Sequence, residues 1–523
     1  MAHSFIFPEN RRVAWRSFVL KLNEKAKRTE KMVSRTRRHM RYVYLEHSLR
    51  LFPYNVGLLN SMSLALAKVV NENRALEFIE SYARSHFRHA DHDISEALFR
   101  LANTGAEMLW KRGNHQGAFS LAGCVLDHPE AGHELLSRIL HWQLMTASMD
   151  NQPSYIDARL VKRVLSSGEL FFGDGFSSVH LIAEALIQLG RVDEAIALLD
   201  HHKTDHMAYL SLSNACVSDE TQWLRYVNRF FSLLGLDPIS LLAGDSERFC
   251  RLDAKAESGY CGGPKISVIM TAFNVEKYIA TAIRSMLAQT WQNFELLVVD
   301  DISTDNTRRI VRDFMAVDDR IKLIENSSNC GTYVSRNKAY DIASGEFVTC
   351  HDSDDWAHPY RLESQIDALL KNPEAVSSSS KWVRMHENGI FSFSHPGTYA
   401  RFNYSSLMFE INRVKPVMGY WDSVRISADS EFIKRLHKTF GSEKSIILDD
   451  ILMIGLKRRG SLTTNTTTGH KANGISPLRK QYHKSFDQWH KRIDTKSAYL
   501  DFPLRQRLFS APEEIVARCD AAE

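Results

Sequence analysis

The sequence predicts a multidomain chain in which an all-α, helical-repeat-like segment precedes an α/β domain with a mainly parallel sheet and a short helical tail. Three observations lead to this prediction. Apolar residues recur at three- and four-residue spacing from about residue 10 to 245, which is typical of amphipathic helices. From Lys265 onward, short apolar runs alternate with helical segments, the order of a doubly wound sheet. The length of 523 residues exceeds what one core usually supports, so two or three domains are expected.

A short pattern recurs within the predicted helical segment, which we place at residues 1–250. A glycine precedes an alanine by five residues in two copies, and a weaker copy keeps only the alanine. These positions are Gly113 with Ala118, Gly190 with Ala195, and Ala75. Glycine suits the turn between antiparallel helices, and a small alanine permits their close approach. The pattern resembles tetratricopeptide repeats, with an irregular helical bundle as the alternative.

The α/β domain is predicted to begin after a cluster of Gly and Pro at 258–264, where helical periodicity stops. Apolar runs predict four strands joined by helices that cross over from strand to strand. The strands are 266–271, 295–299, 321–324 and 346–350, and the helices are 275–289, one starting near 305, and about 332–343. We assign this domain to 264–465 and a helical tail to 466–523.

Polar residues from three strand ends converge on one edge of this predicted sheet. Thr271 ends the first strand, Asp300 and Asp301 follow the second, and Asp352 and Asp354 follow the fourth. Because ligands of such sheets bind beyond the carboxyl ends of the strands, a binding site is expected there.

The run from Asp352 to Asp355 places three carboxylates within four residues after a buried strand. Such a concentration of negative charge needs a cation or donor groups, and Mg²⁺ or Mn²⁺ takes carboxylate oxygens and bridges to phosphates. The alternative is an acidic surface turn or a helix N-cap. Neither G-x-G-x-x-G nor G-x-x-x-x-G-K-[ST] is present, so a phosphate-bearing ligand would depend on the metal and on basic side chains.

Two segments carry a specific resemblance: PKISVIMTAFNVEKYIATAIRSMLAQTWQNFELLVVDDISTD and SRNKAYDIASGEFVTCHDSDDW. They closely resemble the nucleotide-sugar-binding half of family 2 glycosyltransferases, which have the Rossmann-like GT-A fold. Further on, GYWDSVRISADSEFIKRL resembles the family's acceptor-side motif and LKRRGSLTT its basic closing segment. The resemblance covers about 264–465 and implies a metal-dependent, inverting transfer of a sugar from a nucleotide-diphosphate sugar.

The resemblance also implies roles for individual residues. Thr271 and Asp301 would hold the nucleotide base, which would be uracil if the donor is a UDP-sugar. Asp352 would contact the ribose or the metal, and Asp354 would be the direct ligand of Mn²⁺ or Mg²⁺. The remaining donor-binding positions are Arg336, Arg459 and Ser461.

On the acceptor side, Asp429 matches the family's general base, the group that deprotonates the acceptor hydroxyl. Many members have Glu-Asp at this motif, whereas Ala428 precedes Asp429 here, and Glu431 is the candidate for a second charge. Tyr420 and Trp421 are candidates for an acceptor-sugar platform. His470 follows the closing segment, and whether it ligates metal or lies in an exposed loop is left open.

The predicted acceptor is a glycan or a lipid-linked glycan, and bacterial surface polysaccharide synthesis is the setting that the resemblance implies. The alternative from another class is a scaffold protein in which helical repeats are fused to a degenerate, inactive transferase domain. The repeats would then serve a protein partner or self-association. The complete set of acidic motif residues favours the enzyme.

The charge is unevenly placed along the chain. Residues 1–50 contain thirteen Lys and Arg and four Glu, while the whole chain has a net charge of only +4. Apolar residues interleave with the basic ones over 11–41. An anionic membrane surface, an anionic polysaccharide and the solvated face of a packed helix are all compatible with this pattern. No recognised motif accompanies it that would favour nucleic acid.

The seven cysteines form no CxxC or zinc spacing, which favours a reducing compartment. No secretory signal and no apolar run of membrane-spanning length is found. The sequence therefore predicts a cytoplasmic protein, peripheral at the inner face of the membrane if the basic segment binds it.

Overall fold

The computed structural model describes most of the chain from residue 156 onward, together with single helical positions between 101 and 144. The described ranges are 156–166, 179–201, 205–255, 259–392, 398–458, 460–461, 467–471 and 474–517. The chain forms two compact units, Met1–Ile139 and Leu140–Glu523. The basic segment 11–41 and most of the predicted repeat region lie outside the described residues, so the repeat domain stays a prediction. No helix among the described residues is long and apolar enough to cross a membrane.

The described residues from 156 onward include five helices of the second unit ahead of the sheet. They are α1 (Ala158–Ser166), α2 (Val179–Gln188), α3 (Val192–Asp200), α4 (His206–Ala215) and α5 (Glu220–Leu233). Gly190 lies between α2 and α3 at a φ of 74°, a left-handed conformation that favours glycine, as the predicted turn requires. Asp205 and Asp219 cap α4 and α5 by accepting hydrogen bonds from Met207 N and Gln222 N.

The four predicted strands of the α/β domain are present, and they are joined by the predicted helices. The strands are β3 (Ile266–Ala272), β4 (Phe294–Asp300), β5 (Ile321–Glu325) and β6 (Phe347–Cys350), and the helices are α6 (Ile279–Leu287), α7 (Thr307–Met315) and α8 (Thr332–Ile342). Strands β3, β4, β5 and β6 pair in parallel. Two short strands, β1 (Ser240–Leu241) and β2 (Leu252–Asp253), form a separate antiparallel pair ahead of them.

The complete sheet is mixed, which corrects the expectation of a mainly parallel sheet. The later strands are β7 (Asp355–Ala357), β8 (Ser377–Met385), β9 (Phe391–Ser392), β10 (Arg401–Phe402), β11 (Met408–Glu410) and β12 (Ser445–Leu456). The strand order is β5-β4-β3-β6-β11-β8-β12-β7, with β9 and β10 on β8. Only β8 and β12 pair in parallel in this half, because β11, β7, β9 and β10 all run antiparallel to their neighbours.

Helices cover both faces of the sheet, which is why β3 and β4 are apolar runs rather than alternating ones. One face packs on α6, α7 and α9 (Arg361–Lys371), and the other on α8, α10 (Ile411–Met418), α11 (Ala428–Phe440) and α12 (Pro477–His490). The predicted helical tail contains one helix, α12, after the small hairpin of β13 (His470–Lys471) and β14 (Gly474–Ile475). The tail then adds three residues to the hydrophobic core on the α8, α10, α11 and α12 side of the sheet: Leu500, Phe509 and Ile515.

Candidate active site

Asp301 lies directly after β4 and is almost fully buried, with 4% of its surface exposed. Its backbone N–H donates to Ala272 O at the end of the neighbouring strand. The carboxylate accepts hydrogen bonds from Asn326 Nδ2 at 2.8 Å and from the backbone N–H groups of Cys330 and Gly331, both at 2.7 Å. The loop after β5 thereby fixes Asp301 at the carboxyl edge of the sheet, the edge that the sequence predicted.

The backbone next to Asp301 adopts an uncommon conformation. Ile302 has a φ of 64°, in the left-handed region that a β-branched residue rarely adopts. Asn274, in the loop after β3, has a φ of 50°, and its side-chain Oδ1 accepts a hydrogen bond from Thr304 N at 2.8 Å. The hydrogen bond joins the loops after β3 and β4. It helps to keep Asn274 and Ile302 in their strained backbone conformations at the site.

The acidic turn after β6 is tied to four different parts of the chain. Asp352 accepts a hydrogen bond from Ser405 Oγ at 2.6 Å and lies 3.4 Å from the guanidinium of Arg336. Ser353 Oγ donates to Thr271 O at 2.8 Å, which links the turn to the end of β3. Asp354 accepts a hydrogen bond from Arg458 Nε at 2.8 Å. Residues from strands β3 and β6, helix α8 and the segment after β12 therefore meet at this turn.

Burial dominates the electrostatics of the turn. It raises the pKa of Asp352 against the opposing effect of Arg336, and the Asp354 and Asp429 charges raise it further. Burial followed by the Asp354 and Asp352 charges raises the pKa of Asp355 well above its ordinary value. Asp355 Oδ1 accepts from Leu456 N at 3.0 Å, while its buried Oδ2 has no hydrogen-bond partner in the described part of the chain. A cation beside this turn would relieve the carboxylate repulsion.

The donor set fits a hard divalent ion. Carboxylate oxygens are the ligands that Mg²⁺ and Mn²⁺ take, and Asp352 and Asp354 present them at the ligand edge of the sheet. Among the described residues, no three His, Cys, Asp or Glu side chains already converge on one point. This arrangement suits an ion held by one or two carboxylates and completed by phosphate oxygens and water.

Arg336 lies on α8 and is buried, with 4% of its surface exposed. Its guanidinium stacks over the rings of Tyr333 and Trp421, at 5.2 and 5.5 Å from their centroids. The two aromatic rings hold the guanidinium of Arg336 close to Asp352. The Nε atom of Arg336 has no hydrogen-bond partner within the described structure. The predicted donor-binding residue Arg336 is therefore fixed beside the acidic turn.

Asp429 is half-buried in the first turn of α11. Its Oδ1 accepts the backbone N–H of Ser430 at 2.7 Å. Ser427, two residues before Asp429, has a φ of 63°, and its Oγ accepts a hydrogen bond from Arg479 at 2.6 Å. Burial and then the Asp429 charge raise the pKa of both Tyr333 and Tyr404, so both hydroxyls lie within electrostatic range of the carboxylate.

The three predicted acceptor residues lie in the interior. Trp421 is 3% exposed and stacks on Phe432 with ring centroids 4.5 Å apart. Tyr420 is 8% exposed, and its hydroxyl donates to Asp341 at 2.5 Å. These positions do not suit an open sugar platform, because core packing occupies their faces.

Glu431 does not suit the predicted acceptor role either, because it has no exposed surface. Its carboxylate pairs with Arg435 at 2.8 Å and lies 2.9 Å from His490 Nε2. Arg435 in turn donates to the backbone carbonyls of Tyr420 and Ala498. The pair therefore fastens α11 to the C-terminal segment.

The closing segment is described in part. Ser461 is half-exposed in a turn after Gly460, which has a φ of 81°. Arg459 lies outside the described residues. The backbone of His470 belongs to β13, but its side chain is not described, so its metal role stays open.

Two aromatic residues at the site were missed in the sequence. Phe273 follows Thr271 by two positions and is 49% exposed, and Tyr404 is 45% exposed beside Asp429. Phe273 could have been found, because it lies in the loop that leaves the first strand. Tyr404 lies in a stretch without strong hydrophobic periodicity, and it comes close to the predicted base, Asp429, only in the folded chain.

A comparison with protein families identifies this region. The sequence profile described as Glycosyl transferase family 2 matches residues 267–426. This region of the chain is similar to family 2 glycosyltransferases, and we refer to the α/β domain that contains it as the transferase domain. The match runs from β3 through the acidic turn to Ile426, just ahead of Asp429.

Several known proteins are similar to the transferase domain. EpsE of Bacillus subtilis, provisionally named as a glycosyltransferase, is 34% identical over 168 residues, 30% of this chain and 60% of EpsE. WfgD of Escherichia coli, named UDP-Glc:alpha-D-GlcNAc-diphosphoundecaprenol beta-1,3-glucosyltransferase, is 47% identical over 107 residues, 20% of this chain and 42% of WfgD. A crystal structure of S. aureus TarS with UDP-GlcNAc has 25% identity and a TM-score of 0.32, over 38% of this chain and 60% of that one. The chain thus spans less than two thirds of each relative.

Proposed function

We propose that the chain is a metal-dependent, inverting glycosyltransferase that moves a sugar from a nucleotide-diphosphate sugar to a hydroxyl of a glycan or glycolipid. The observation that carries the proposal is that the turn Tyr404–Ser406 is bonded to Asp352 of the acidic turn through Ser405 Oγ and also contacts α11, the helix whose first turn contains the second carboxylate, Asp429. A metal–diphosphate site beside a general base is the arrangement that glycosyl transfer needs.

On the donor side, Thr271 and Asp301 would contact the base, with Phe273 offering an exposed ring for stacking. Arg336 would contact the ribose or the diphosphate. Asp352 and Asp354 would hold Mg²⁺ or Mn²⁺, which when bound supplies charge stabilisation to the departing diphosphate. The donor named in WfgD, UDP-Glc, supports a UDP-sugar.

On the acceptor side, Asp429 would remove the proton from the attacking hydroxyl. Its Oδ1 already accepts the Ser430 N–H, so Oδ2 is the oxygen that takes the proton. Attack from the face opposite the diphosphate inverts the anomeric carbon in one displacement.

The relatives also support an acceptor class. The WfgD name includes a GlcNAc-diphosphoundecaprenol acceptor, which is a lipid-linked sugar, and another relative of Bacillus subtilis, TuaG, is named for teichuronic acid biosynthesis. We therefore propose a role in bacterial surface polysaccharide synthesis. The basic segment at 11–41 would bring the enzyme to the anionic inner face of the membrane.

The test is a screen of nucleotide sugars with Mn²⁺ that follows nucleoside diphosphate release. Asp429→Asn should lower acceptor-dependent transfer by about 10²–10⁴-fold while nucleotide binding is kept, because only proton removal is lost. Asp354→Asn should also lower transfer, and unlike Asp429→Asn it should no longer be stabilised against heat by UDP with Mn²⁺. Asp449→Asn is the matched control, since the Asp449 side chain is 97% exposed on β12.

Near-normal turnover of Asp429→Asn would contradict the assignment of the base. If no nucleotide is cleaved and none stabilises the chain, the alternative of a scaffold with a degenerate transferase domain is favoured instead.

A further inference from the structure

Tyr404 is a large aromatic side chain left exposed beside the predicted base. Its side chain is 45% exposed, and its ring packs edge-on against Phe402 with centroids 4.9 Å apart. Burial and then the Asp429 charge raise the pKa of its hydroxyl. The ring therefore lies within the electrostatic reach of the carboxylate while one part of it still meets solvent.

The turn that carries Tyr404 is rigidly built. Tyr404–Ser406 forms a 3-10 turn capped by Asn403, whose side chain accepts the Ser405 N–H at 3.0 Å. Ser406 Oγ accepts the N–H of Ser380 on β8 at 2.9 Å. Asn403 and Ser406 are both fully buried. Since these buried hydrogen bonds anchor the turn, the backbone of Tyr404 is held in place while its side chain remains exposed.

The same turn connects the two halves of the proposed site. Ser405 Oγ donates to Asp352 Oδ2 at 2.6 Å, so the residue next to Tyr404 is bonded to the acidic turn. The turn also contacts α11, the helix whose first turn contains Asp429. Tyr404 therefore lies on a turn that is in contact with both the acidic turn and the helix of the base, close to where the acceptor has to lie during transfer.

We propose that Tyr404, supported by Phe402, is the binding platform for the acceptor sugar, a subsite that rests on the proposed transferase function. One face of a pyranose ring is a patch of C–H groups that packs on an aromatic ring, while its hydroxyls remain free for polar contacts. Packed on Tyr404, the acceptor turns one hydroxyl toward Asp429. This assignment replaces Tyr420 and Trp421, whose rings are buried.

The experiment compares two activities of the same enzyme. Nucleoside diphosphate release from UDP-glucose and UDP-GlcNAc is measured with Mn²⁺, first without acceptor and then with octyl β-glucoside or octyl β-N-acetylglucosaminide. Tyr404→Ala should lower acceptor-dependent kcat/KM by about tenfold, mainly through the acceptor KM, because the platform is lost. Acceptor-independent hydrolysis and the donor KM should stay within about twofold of the wild type. Tyr404→Phe and Tyr404→Trp should keep transfer, since each retains a ring.

Tyr499→Ala is the matched control, because Tyr499 is also an exposed aromatic residue, with 40% of its surface exposed. An unchanged acceptor KM in Tyr404→Ala overturns the subsite alone. Equal losses of hydrolysis and transfer also overturn it, because they place Tyr404 on the donor. If the wild type releases no diphosphate from either donor and neither donor stabilises it, the proposed function fails and the subsite fails with it.

Discussion

Glu295 offers a quantitative test of what holds the first strands of the transferase domain together. It lies on β4, and its side chain is 2% exposed. One carboxylate oxygen accepts hydrogen bonds from Ser267 Oγ on β3 at 2.7 Å and from Ser344 N at 2.8 Å. The other accepts from Lys322 Nζ on β5 at 2.7 Å. A single buried carboxylate thus links three adjacent strands and the segment after α8.

The pKa of Glu295 gives the size of this contribution. Burial would raise the pKa, but hydrogen bonds from Lys322, Ser267 and Ser344 outweigh it and lower the pKa from 4.5 to about 2. A depressed pKa means that folding favours the ionised form, so the stabilisation is present above pH 4.5 and is lost as pH falls toward 2. At about 1.4 kcal/mol for each pKa unit, the ionised side chain contributes about 3 kcal/mol at neutral pH.

Glu295→Gln should therefore lower the free energy of unfolding at pH 7 by about 3 kcal/mol. The difference from the wild type should shrink as pH falls from 4.5 toward 2, because the unfolded wild-type chain takes up a proton at Glu295 in this range while the folded chain is protonated there only near pH 2. Urea unfolding at a series of pH values, followed by tryptophan fluorescence, measures both effects. Glu374→Gln is the control, since that side chain is 94% exposed. A loss below about 1 kcal/mol at pH 7, or a difference independent of pH, would refute the reasoning.

Two further substitutions test backbone and core packing, each followed by thermal unfolding. A Cβ at Gly345 would lie 2.5 Å from Ser267 N, so Gly345→Ala should cost about 1–3 kcal/mol, whereas Gly259→Ala meets only the flexible Gln292 side chain and should cost less. Glu431→Gln leaves Arg435 buried without its charge partner and should cost about 3–5 kcal/mol. The exposed Lys434–Asp487 pair joins α11 to α12, so Asp487→Asn should change stability by at most about 1 kcal/mol. Equal shifts within either pair of variants would contradict these assignments.

The first half of the sheet could be predicted because its strands are buried on both faces. Strands β3 and β4 are continuous apolar runs, and the predicted bounds differ from the observed ones by one residue. Strand β8 could not be predicted in this way, because it begins with the four serines Ser377–Ser380. These serines are buried by pairing with β11 and β12, which are distant in the sequence. Long-range pairing of this kind leaves no local hydrophobic pattern.

The candidate site divides along the same line. Topology alone brings the ends of parallel strands together, so Thr271, Asp301 and Asp352 could be placed at one edge from the sequence. The position of Glu431 could not be predicted from its distance along the chain from Asp429, because the structure buries Glu431 completely. Residues two positions apart on a helix point about 200° apart, so when Asp429 faces the site Glu431 faces the core. Helix geometry therefore argues against a paired carboxylate at this motif.

The helices ahead of the sheet help to form the site from a distance. Asn214 on α4 makes two hydrogen bonds to the backbone of Phe391, and Trp223 Nε1 on α5 donates to Gly389 O at 2.9 Å. The hairpin that they hold includes Ser392, whose Oγ accepts a hydrogen bond from Lys457 at 2.9 Å.

Lys457 precedes Arg458, which is bonded to Asp354 in the acidic turn. Trp356, directly after that turn, packs against Phe231 of α5 with ring centroids 6.3 Å apart. Burial lowers the pKa of Lys457 to about 8, with Arg384 and Arg401 adding to the effect. Arg458 therefore follows directly after a buried lysine, Lys457, which is bonded to the hairpin held by helices α4 and α5. Helices α4 and α5 both contact the hairpin, and α5 also contacts Trp356 next to the acidic turn. The geometry of the proposed metal site therefore depends on residues that the family resemblance does not cover.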